Sequence, residues 1–309
     1  MFEAKAMLYL YVETPLHAGS GTSLGVVDLP VQRERVTNYP MVQASGLKGK
    51  LRAEASEWAE KQTDTWDAKK KVKVVFGPEA GPGASDHAGA FSPGDARLLL
   101  FPVRSMIGVF AWTTSRDALA RFCRDARTTG VEVNWQPVGP TAEDKALVAP
   151  GNDVVAEGKV VLEEFAFDAT EDEHVRVIAD WLASNAMPQE SEYAYWRQKL
   201  SKSLIVLSEN AFRDFTQFST EIINRIRLNH ETKTVAEGAL WSEEHLPTDT
   251  LFYAPLFATR PRVERDELPQ GWQGTAKEVL EFVRNLGLVR IQLGGDETVG
   301  RGLVRVRFS

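Results

Sequence analysis

The loop HAGSGTSLGVVDLPVQRER, residues 17–35, carries one carboxylate near its centre, Asp28, just ahead of Leu29-Pro30. Its glycines let the backbone approach a ligand closely. Beside an RNA phosphodiester, such an Asp could hold a divalent cation or take the proton of an attacking 2′-hydroxyl. The competing reading is a turn-forming Asp before a proline-restricted segment. His17 could be an acid, a ligand, or a loop residue that only makes a hydrogen bond. The loop is not a P-loop, since no G-K-[ST] follows four residues after a glycine. Nor is it a dinucleotide fingerprint, because the third glycine is displaced and no βαβ context is visible.

Three further groupings could meet a phosphate or a base. In Ser45-Gly46-Leu47-Lys48-Gly49-Lys50-Leu51-Arg52, a hydroxyl, three cations and the amides of a helix start suit a phosphate; a solvated helix start with Ser45 as N-cap fits equally. The C-terminal segment LGGDETVGRGL brackets Arg301 with Gly294-Gly295 and Gly300 with Gly302. Such a loop can lie flat on a nucleic-acid backbone, or it can be a long hairpin turn. The stretch NHETKTVAEGALWSEEHLP carries His230, Lys233, Glu237 and Trp241 on what reads as a hairpin tip. Trp241 could stack on a base or pack beneath its own hairpin.

The elements that must position these residues follow from the apolar periodicity. MLYLYVE (7–13) reads as a strand of strong β-formers. Leu47, Leu51, Ala55 and Trp58 fall at helical spacing. Residues 77–94 read as a Gly/Pro/Ser loop. Two strands are expected around Pro102-Val103-Arg104-Ser105, then a helix over 116–127. Polar, irregular chain follows over 135–158, then a strand at 160–167 and a helix at 171–185. Ser203 to Ser208 reads as a buried strand, and the aromatic-rich stretch 210–219 follows it. Residues 222–250 form the projecting hairpin, and Leu251 to Thr259 is another strand. A helix over 275–286 precedes two final strands, 289–293 and 303–308, which flank the glycine loop. Strands and helices mix without strict alternation and without a 20–50-residue repeat. The expected class is therefore α+β on an antiparallel sheet, with insertions.

Composition narrows the functions. The chain has 309 residues and a net charge of −7, which argues against bulk non-specific nucleic-acid binding. Yet between residues 31 and 52 Arg33, Arg35, Lys48, Lys50 and Arg52 face Glu34 alone, so a basic track is possible on an acidic protein. No apolar run approaches the ~18–20 residues of a membrane span. The first residues carry no basic region of a secretory signal, and Cys123 is the only cysteine, which excludes an intramolecular disulfide. A cytoplasmic location without membrane partners is the expectation.

Taken together, PLHAGSGTSLGVVDLPVQRE (15–34), ASGLKGKLR (44–52), VFGPE (75–79), DARLLLFPVRSMIGVFAWTT (95–114), IRLNHETKTVAEGALWSEEHLP (226–247) and LGGDETVGRGL (293–303) resemble the repeated backbone subunit of type III-B CRISPR effector complexes. These are the Cmr complexes of the RAMP superfamily. The likeness spans nearly the whole chain and is least marked over about 125–200.

The resemblance implies a single domain over 1–309: a modified RRM or ferredoxin-like palm with insertions, a catalytic loop at about 15–40 and a β-hairpin thumb at about 222–250. It further implies that copies stack along a CRISPR RNA beside other Cmr subunits. Each thumb would displace one nucleotide, and guide-paired target RNA would be cut at six-nucleotide intervals in antiviral defence. Asp28 matches the family's cutting residue, and His17 a family histidine. Ser45, Lys48, Lys50, Arg52, Gly294, Gly295 and Arg301 match guide-RNA contacts. Glu237 and Trp241 fall in the thumb region, where Trp241 is a candidate RNA contact. The expected cofactor is a divalent ion, Mg or Mn, held by Asp28 together with RNA phosphates, because an exposed Asp with an ordinary pKa of ~3.9 is a weak base at neutral pH. A non-catalytic subunit that only coats the guide is the alternative, and a stand-alone phosphate-handling enzyme is a third reading.

Overall fold

Alternation along the first strand sets the layers. In Ala4–Val12, the side chains of Ala6, Leu8, Leu10 and Val12 enter one core, and those of Met7, Tyr9 and Tyr11 enter a second. A strand with both faces apolar must lie between two layers of cover. A computed structural model describes residues 2–23, 25–79, 87–228 and 231–309, with residues 236–239 described by their backbone alone. His230 lies outside the described residues, and so does the side chain of Glu237.

In chain order the elements are β1 (Ala4–Val12), β2 (Met41–Val42), α1 (Ala44–Glu60), α2 (Thr65–Phe76), β3 (Phe91–Pro93), β4 (Ala96–Arg104), β5 (Phe110–Ser115) and α3 (Arg116–Thr129). Next come β6 (Lys145–Val148), β7 (Lys159–Leu162), β8 (Phe165–Glu171), α4 (Glu173–Asn185), α5 (Ala194–Ser203), β9 (Leu204–Leu207) and α6 (Glu209–Phe218). The chain ends with β10 (Glu221–Leu228), β11 (Val235–His245), β12 (Leu251–Ala258), α7 (Ala276–Asn285), β13 (Arg290–Gln292) and β14 (Leu303–Phe308).

One large sheet runs β13-β14-β1-β12-β4-β5-β9-β6-β8-β7, with β2 beside β4 and β3 beside β12. Its pairings are antiparallel except β5 with β9 and β6 with β8. Helices α1, α2 and α7 cover the face fed by Leu8 and Leu10; α3, α4 and α5 cover the face of Tyr9 and Tyr11. The result is a mixed α+β architecture in which β1 and β12 are interior strands of one continuous sheet. β10 and β11 form a separate two-stranded hairpin.

Several expectations are corrected. Ser45 is not the N-cap of α1: Gln43 holds that position, and the Asp95 carboxylate accepts the Ala44 N–H at 2.8 Å. A long-range contact thus replaces the local cap. The turn between β4 and β5 falls at 105–109, past Pro102 and Arg104, where Gly108 and Val109 both adopt positive φ. The stretch 160–167 is not one strand; Glu163 at φ 48° turns it into the β7–β8 hairpin. β6 lies inside the stretch read as irregular, and α2 and α5 carry no expectation at all. The aromatic stretch 210–219 is the body of α6, capped by Ser208.

Candidate functional site

Four separate pieces of chain converge beside the base of the hairpin. The first loop leaves β1 and pairs with β11 rather than with the main sheet. Leu16 bridges Leu246, Leu29 bridges Glu243 in parallel, and Gly19 bridges Val31. Gln32 closes this loop: its side chain donates to the Gly19 carbonyl and accepts from the Gln43 N–H at the start of α1. The C-terminal glycine loop clasps the same strand exit, with Gly295 N–H on the His17 carbonyl and Gly302 N–H on the Pro15 carbonyl. Gln292 holds that loop by donating to the carbonyls of Leu293, Gly294, Gly295 and Arg301.

Between these pieces lies a cleft of about 490 Å³. His17, Gly19 and Leu29 line it from the first loop, Gly46 and Lys50 from α1, and Gly294 and Gly295 from the C-terminal loop. Three groupings expected from sequence to meet a phosphate therefore share one surface. A larger groove, about 690 Å³, lies between β8 and α6. Its rim carries Glu143, Glu163, Glu164 and Asp214, so it repels a polyanion.

Asp28 is fully exposed at the edge of this surface and is not adrift. Its Oδ2 accepts both the N–H and the hydroxyl of Ser242 on β11, at 2.8 and 2.9 Å, and its own N–H donates back to the Ser242 oxygen at 3.0 Å. The Ser242 N–H first, and then its hydroxyl, hold the Asp28 carboxyl below its ordinary pKa. Asp28 is therefore ionised at neutral pH and suits electrostatic or metal-binding work better than proton abstraction.

His17 presents Nδ1 to the Glu244 carbonyl at 2.7 Å. A carbonyl only accepts, so Nδ1 carries the hydrogen, and Nε2 is left toward Gly19 with Cδ2 facing Gly295. A Cβ on Gly19 would stand 2.7 Å from Nε2, so a side chain there would push the imidazole from this place.

The helix-start cations divide. Lys50 lines the cleft and pairs with Glu54 at 2.8 Å. Burial, then the charges of Arg52 and Arg262, push the Lys48 ammonium below its ordinary value. The three form a positive group outside the cleft lining. Arg52 donates to the Pro78 carbonyl, and Ser45 is exposed. Arg301 also stands apart from the lining, at the hairpin base, where its charge acts on Glu221 and His245. Trp241 is half-buried, with its indole N–H on Glu243 at 2.7 Å. Its indole N–H is thus tied to the hairpin's own strand.

Two clusters that the sequence did not suggest hold the hairpin. Glu244, 6% exposed, accepts from Arg33, Val31 N–H and Thr220. On the opposite side, Arg225 reaches Glu243 at 2.8 Å and Asp296 at 3.2 Å, and His245 faces Asp296 at 3.2 Å. Partial burial raises Asp296, but Glu243, His245 and the Arg225 charge outweigh it and keep the carboxyl low. Burial lowers His245, and the neighbouring His17 and Arg301 add to that against the pull of Asp296.

One potential ligand atom from each of Glu243, His245 and Asp296, a carboxylate oxygen or an imidazole nitrogen, lies within 4.8 Å of the others. Among the described residues this is the grouping of such side chains compact enough for a metal ion, yet the Arg225 guanidinium already supplies its positive charge. Asp28 is not part of it. At Asp28 the fit to a divalent ion is limited to one exposed, ionised carboxylate, whose Oδ1 receives no hydrogen bond from another described residue. Nothing in the sequence flags Ser242, Glu244, Gln32 or Gln292, because their roles arise from pairing across more than 200 residues or from a loop's return path.

The chain belongs to the RAMP superfamily, whose profile matches residues 9–305. Within that superfamily it groups with the Cmr4 proteins of type III-B CRISPR systems. It is 39% identical to the CRISPR system Cmr endoribonuclease Cmr4 of Pyrococcus furiosus, over 97% of this chain and 94% of that protein. It is 28% identical to the CMR subunit Cmr4 of Saccharolobus solfataricus, over 97% and 95%. Oligomeric Cmr4 from Pyrococcus furiosus superposes with a TM-score of 0.71 at 30% identity, covering 99% of this chain and 98% of that one. A chain of the type III-B Cmr-beta complex bound to cognate target RNA shares the fold, with a TM-score of 0.71 at 21% identity.

Proposed function

We propose that this chain is a guide-RNA-binding filament subunit that cuts guide-paired target RNA, with Asp28 as the cutting residue. The observation that carries the reading is the cleft shared by the first loop, the start of α1 and the C-terminal glycine loop, with Asp28 held ionised at its edge. The endoribonuclease name of the 39% identical relative supports it.

In this reading the large sheet and its helices form an RRM-like palm in a single domain, and the hairpin β10–β11 is the thumb. Ile226 and Leu240, paired across the hairpin, are 53% and 67% exposed, and Ile222, Leu228 and Val235 are exposed beside them. Apolar surface of this kind fits a nucleotide pushed aside or a neighbouring copy better than solvent. Gly294, Gly295, Lys50 and the backbone of the first loop would seat the guide phosphates, with Lys48, Arg52, Ser45 and Arg301 extending the positive track. Other copies, guide RNA, target RNA and further Cmr subunits are the partners. No helix among the described residues is long and apolar enough to cross a membrane, and a cytoplasmic site of action fits this role.

Cleavage would use the 2′-hydroxyl of the displaced nucleotide in line with the scissile phosphate, leaving a 2′,3′-cyclic phosphate and a 5′-hydroxyl. Holding that alignment supplies much of the rate, as much as roughly 7–11 kcal/mol in ideal cases. A divalent ion, Mg or Mn, would stabilise charge on the phosphate, with Asp28 as its protein ligand and RNA oxygens completing the set. The Ser242 contacts that hold the Asp28 carboxyl below its ordinary pKa make it a weaker base, which favours the metal-ligand role over proton abstraction.

The test is reconstitution with guide and end-labelled target, comparing wild type with Asp28→Asn. Fragments spaced by six nucleotides that vanish in the variant, with guide binding and assembly retained, are the expected result. Undiminished cutting by Asp28→Asn would leave the chain as a guide-coating subunit.

A further inference from the structure

An exposed loop carboxylate has free rotation about two side-chain bonds unless something holds it. Asp28 is held from one side only, by Ser242. The two residues form a closed ring: Ser242 N–H and Oγ–H both donate to Oδ2, and Asp28 N–H donates to the Ser242 Oγ. The serine hydroxyl thus uses its donor and an acceptor site on the same partner. The neighbouring backbone is fixed as well, with Leu29 N–H on the Ser242 carbonyl at 3.0 Å and Glu244 N–H on the Leu29 carbonyl at 3.0 Å.

Ser242 is itself fixed in register. Its neighbours on β11 are anchored on opposite faces, Glu243 by Arg225 and Trp241, and Glu244 by Arg33, Val31 and Thr220. A slip of one residue would exchange these faces and break both anchors. Ser242 pairs across the hairpin with Asn224 on β10. The strand that carries the hairpin outward is thus the strand that holds Asp28.

We infer that Ser242 is a positioning residue for cleavage: it fixes the Asp28 carboxylate through Oδ2, leaves Oδ1 without a hydrogen bond from another described residue, and ties the attitude of that carboxylate to the hairpin. This inference rests on Asp28 being the cutting residue. Ser242 touches no reacting atom. Its action passes through Asp28, and it makes the setting of the hairpin a determinant of cleavage as well as of RNA shape.

The test uses reconstituted complexes carrying wild type, Ser242→Ala, Ser242→Thr and Asp28→Asn, with saturating guide and target. Ser242→Ala keeps the backbone N–H and loses both bonds made by the hydroxyl. A hydrogen bond to a charged group corresponds to about a ten- to hundred-fold rate effect, so cleavage is expected to fall by about that factor while guide affinity and assembly stay unchanged. Ser242→Thr restores the hydroxyl and should recover the rate to within a few-fold. The loss should fall on the cleavage rate at saturation, with the target concentration for half-maximal rate unchanged; a merely structural serine would not confine the loss in this way. Full-rate cleavage by Ser242→Ala, while Asp28→Asn is dead, overturns the positioning role alone. Loss of assembly in Ser242→Ala also overturns it, since the serine would then be structural. Normal cutting by Asp28→Asn removes the premise.

Discussion

Two glycines of the C-terminal loop share a left-handed backbone but differ in their surroundings, and that difference can be measured. Gly294 sits at φ 75° and Gly300 at φ 76°. A Cβ at Gly300 meets nothing within 4 Å, whereas one at Gly294 would lie 2.1 Å from the His17 carbonyl oxygen. Gly300→Ala should therefore lose only the left-handed strain, about 1–2 kcal/mol. Gly294→Ala bears the same strain plus overpacking of about 1–3 kcal/mol, so roughly 2–5 kcal/mol in all. The contact it collides with is backbone, which cannot rotate aside, and it adjoins the Gly295–His17 hydrogen bond that clasps the loop to the first segment. Urea unfolding of the isolated subunits gives the two losses directly. Guide-RNA affinity should drop for Gly294→Ala in the same series and stay near wild type for Gly300→Ala. Equal stability losses in the two variants would refute the argument that the loop is closed on His17.

Lys50→Ala should weaken guide binding and lower the slope of log affinity against log salt by about 1 if Lys50 contacts one phosphate; an unchanged slope in filter binding removes Lys50 from the interface. Arg33→Ala leaves the 6%-exposed Glu244 without its cation, which typically costs about 3–5 kcal/mol; a loss under 1 kcal/mol in denaturant unfolding would show that Val31 and Thr220 suffice. Ile226→Ser with Leu240→Ser removes exposed apolar surface, so the subunit's own stability should change by no more than about 0.5 kcal/mol. Self-association, read by light scattering, should fall. Because Asp28 has a depressed pKa, the stability its contact with Ser242 confers is present above the unfolded value of ~3.9 and is lost as pH falls through the lower folded value. The difference in melting temperature between wild type and Asp28→Asn should hold steady from pH 5 to 8 and shrink below about pH 4.

What the sequence made legible was what depends on near neighbours. The strand read at 7–13, the helix carrying Leu47, Leu51 and Ala55, and the helix read over 275–286 are all written in local spacing. The mixed α+β class follows from their order. The likeness of several segments to one family also pointed to Asp28 and the glycine loop. Hidden were features decided by distant chain. The cap of α1 comes from Asp95, which removes Ser45 from the role its type suggests. The sequence does not show that Trp241 donates its indole N–H to Glu243, two residues on, a carboxylate that Arg225 also pairs with from the opposite strand. The turn at Glu163 places a charged, non-glycine residue at positive φ, against local preference.

The same logic explains why one carboxylate can serve as a site. A self-contained hydrolase gathers its acids, bases and ligands from one wall of a pocket. Here the compact cluster of Glu243, His245 and Asp296 is closed around Arg225 and serves to orient the hairpin, while Asp28 stands outside it with a single serine for company. With Asp28 as the proposed cutting residue, the chain would supply one carboxylate oxygen at a fixed attitude, and the substrate would supply the rest: its own 2′-hydroxyl as nucleophile and its phosphates as further ligands. A site of that kind is silent toward RNA that is not held in register. Under the proposed reading its specificity would then depend on the setting of the strand beside it, and that strand is the one carrying Ser242.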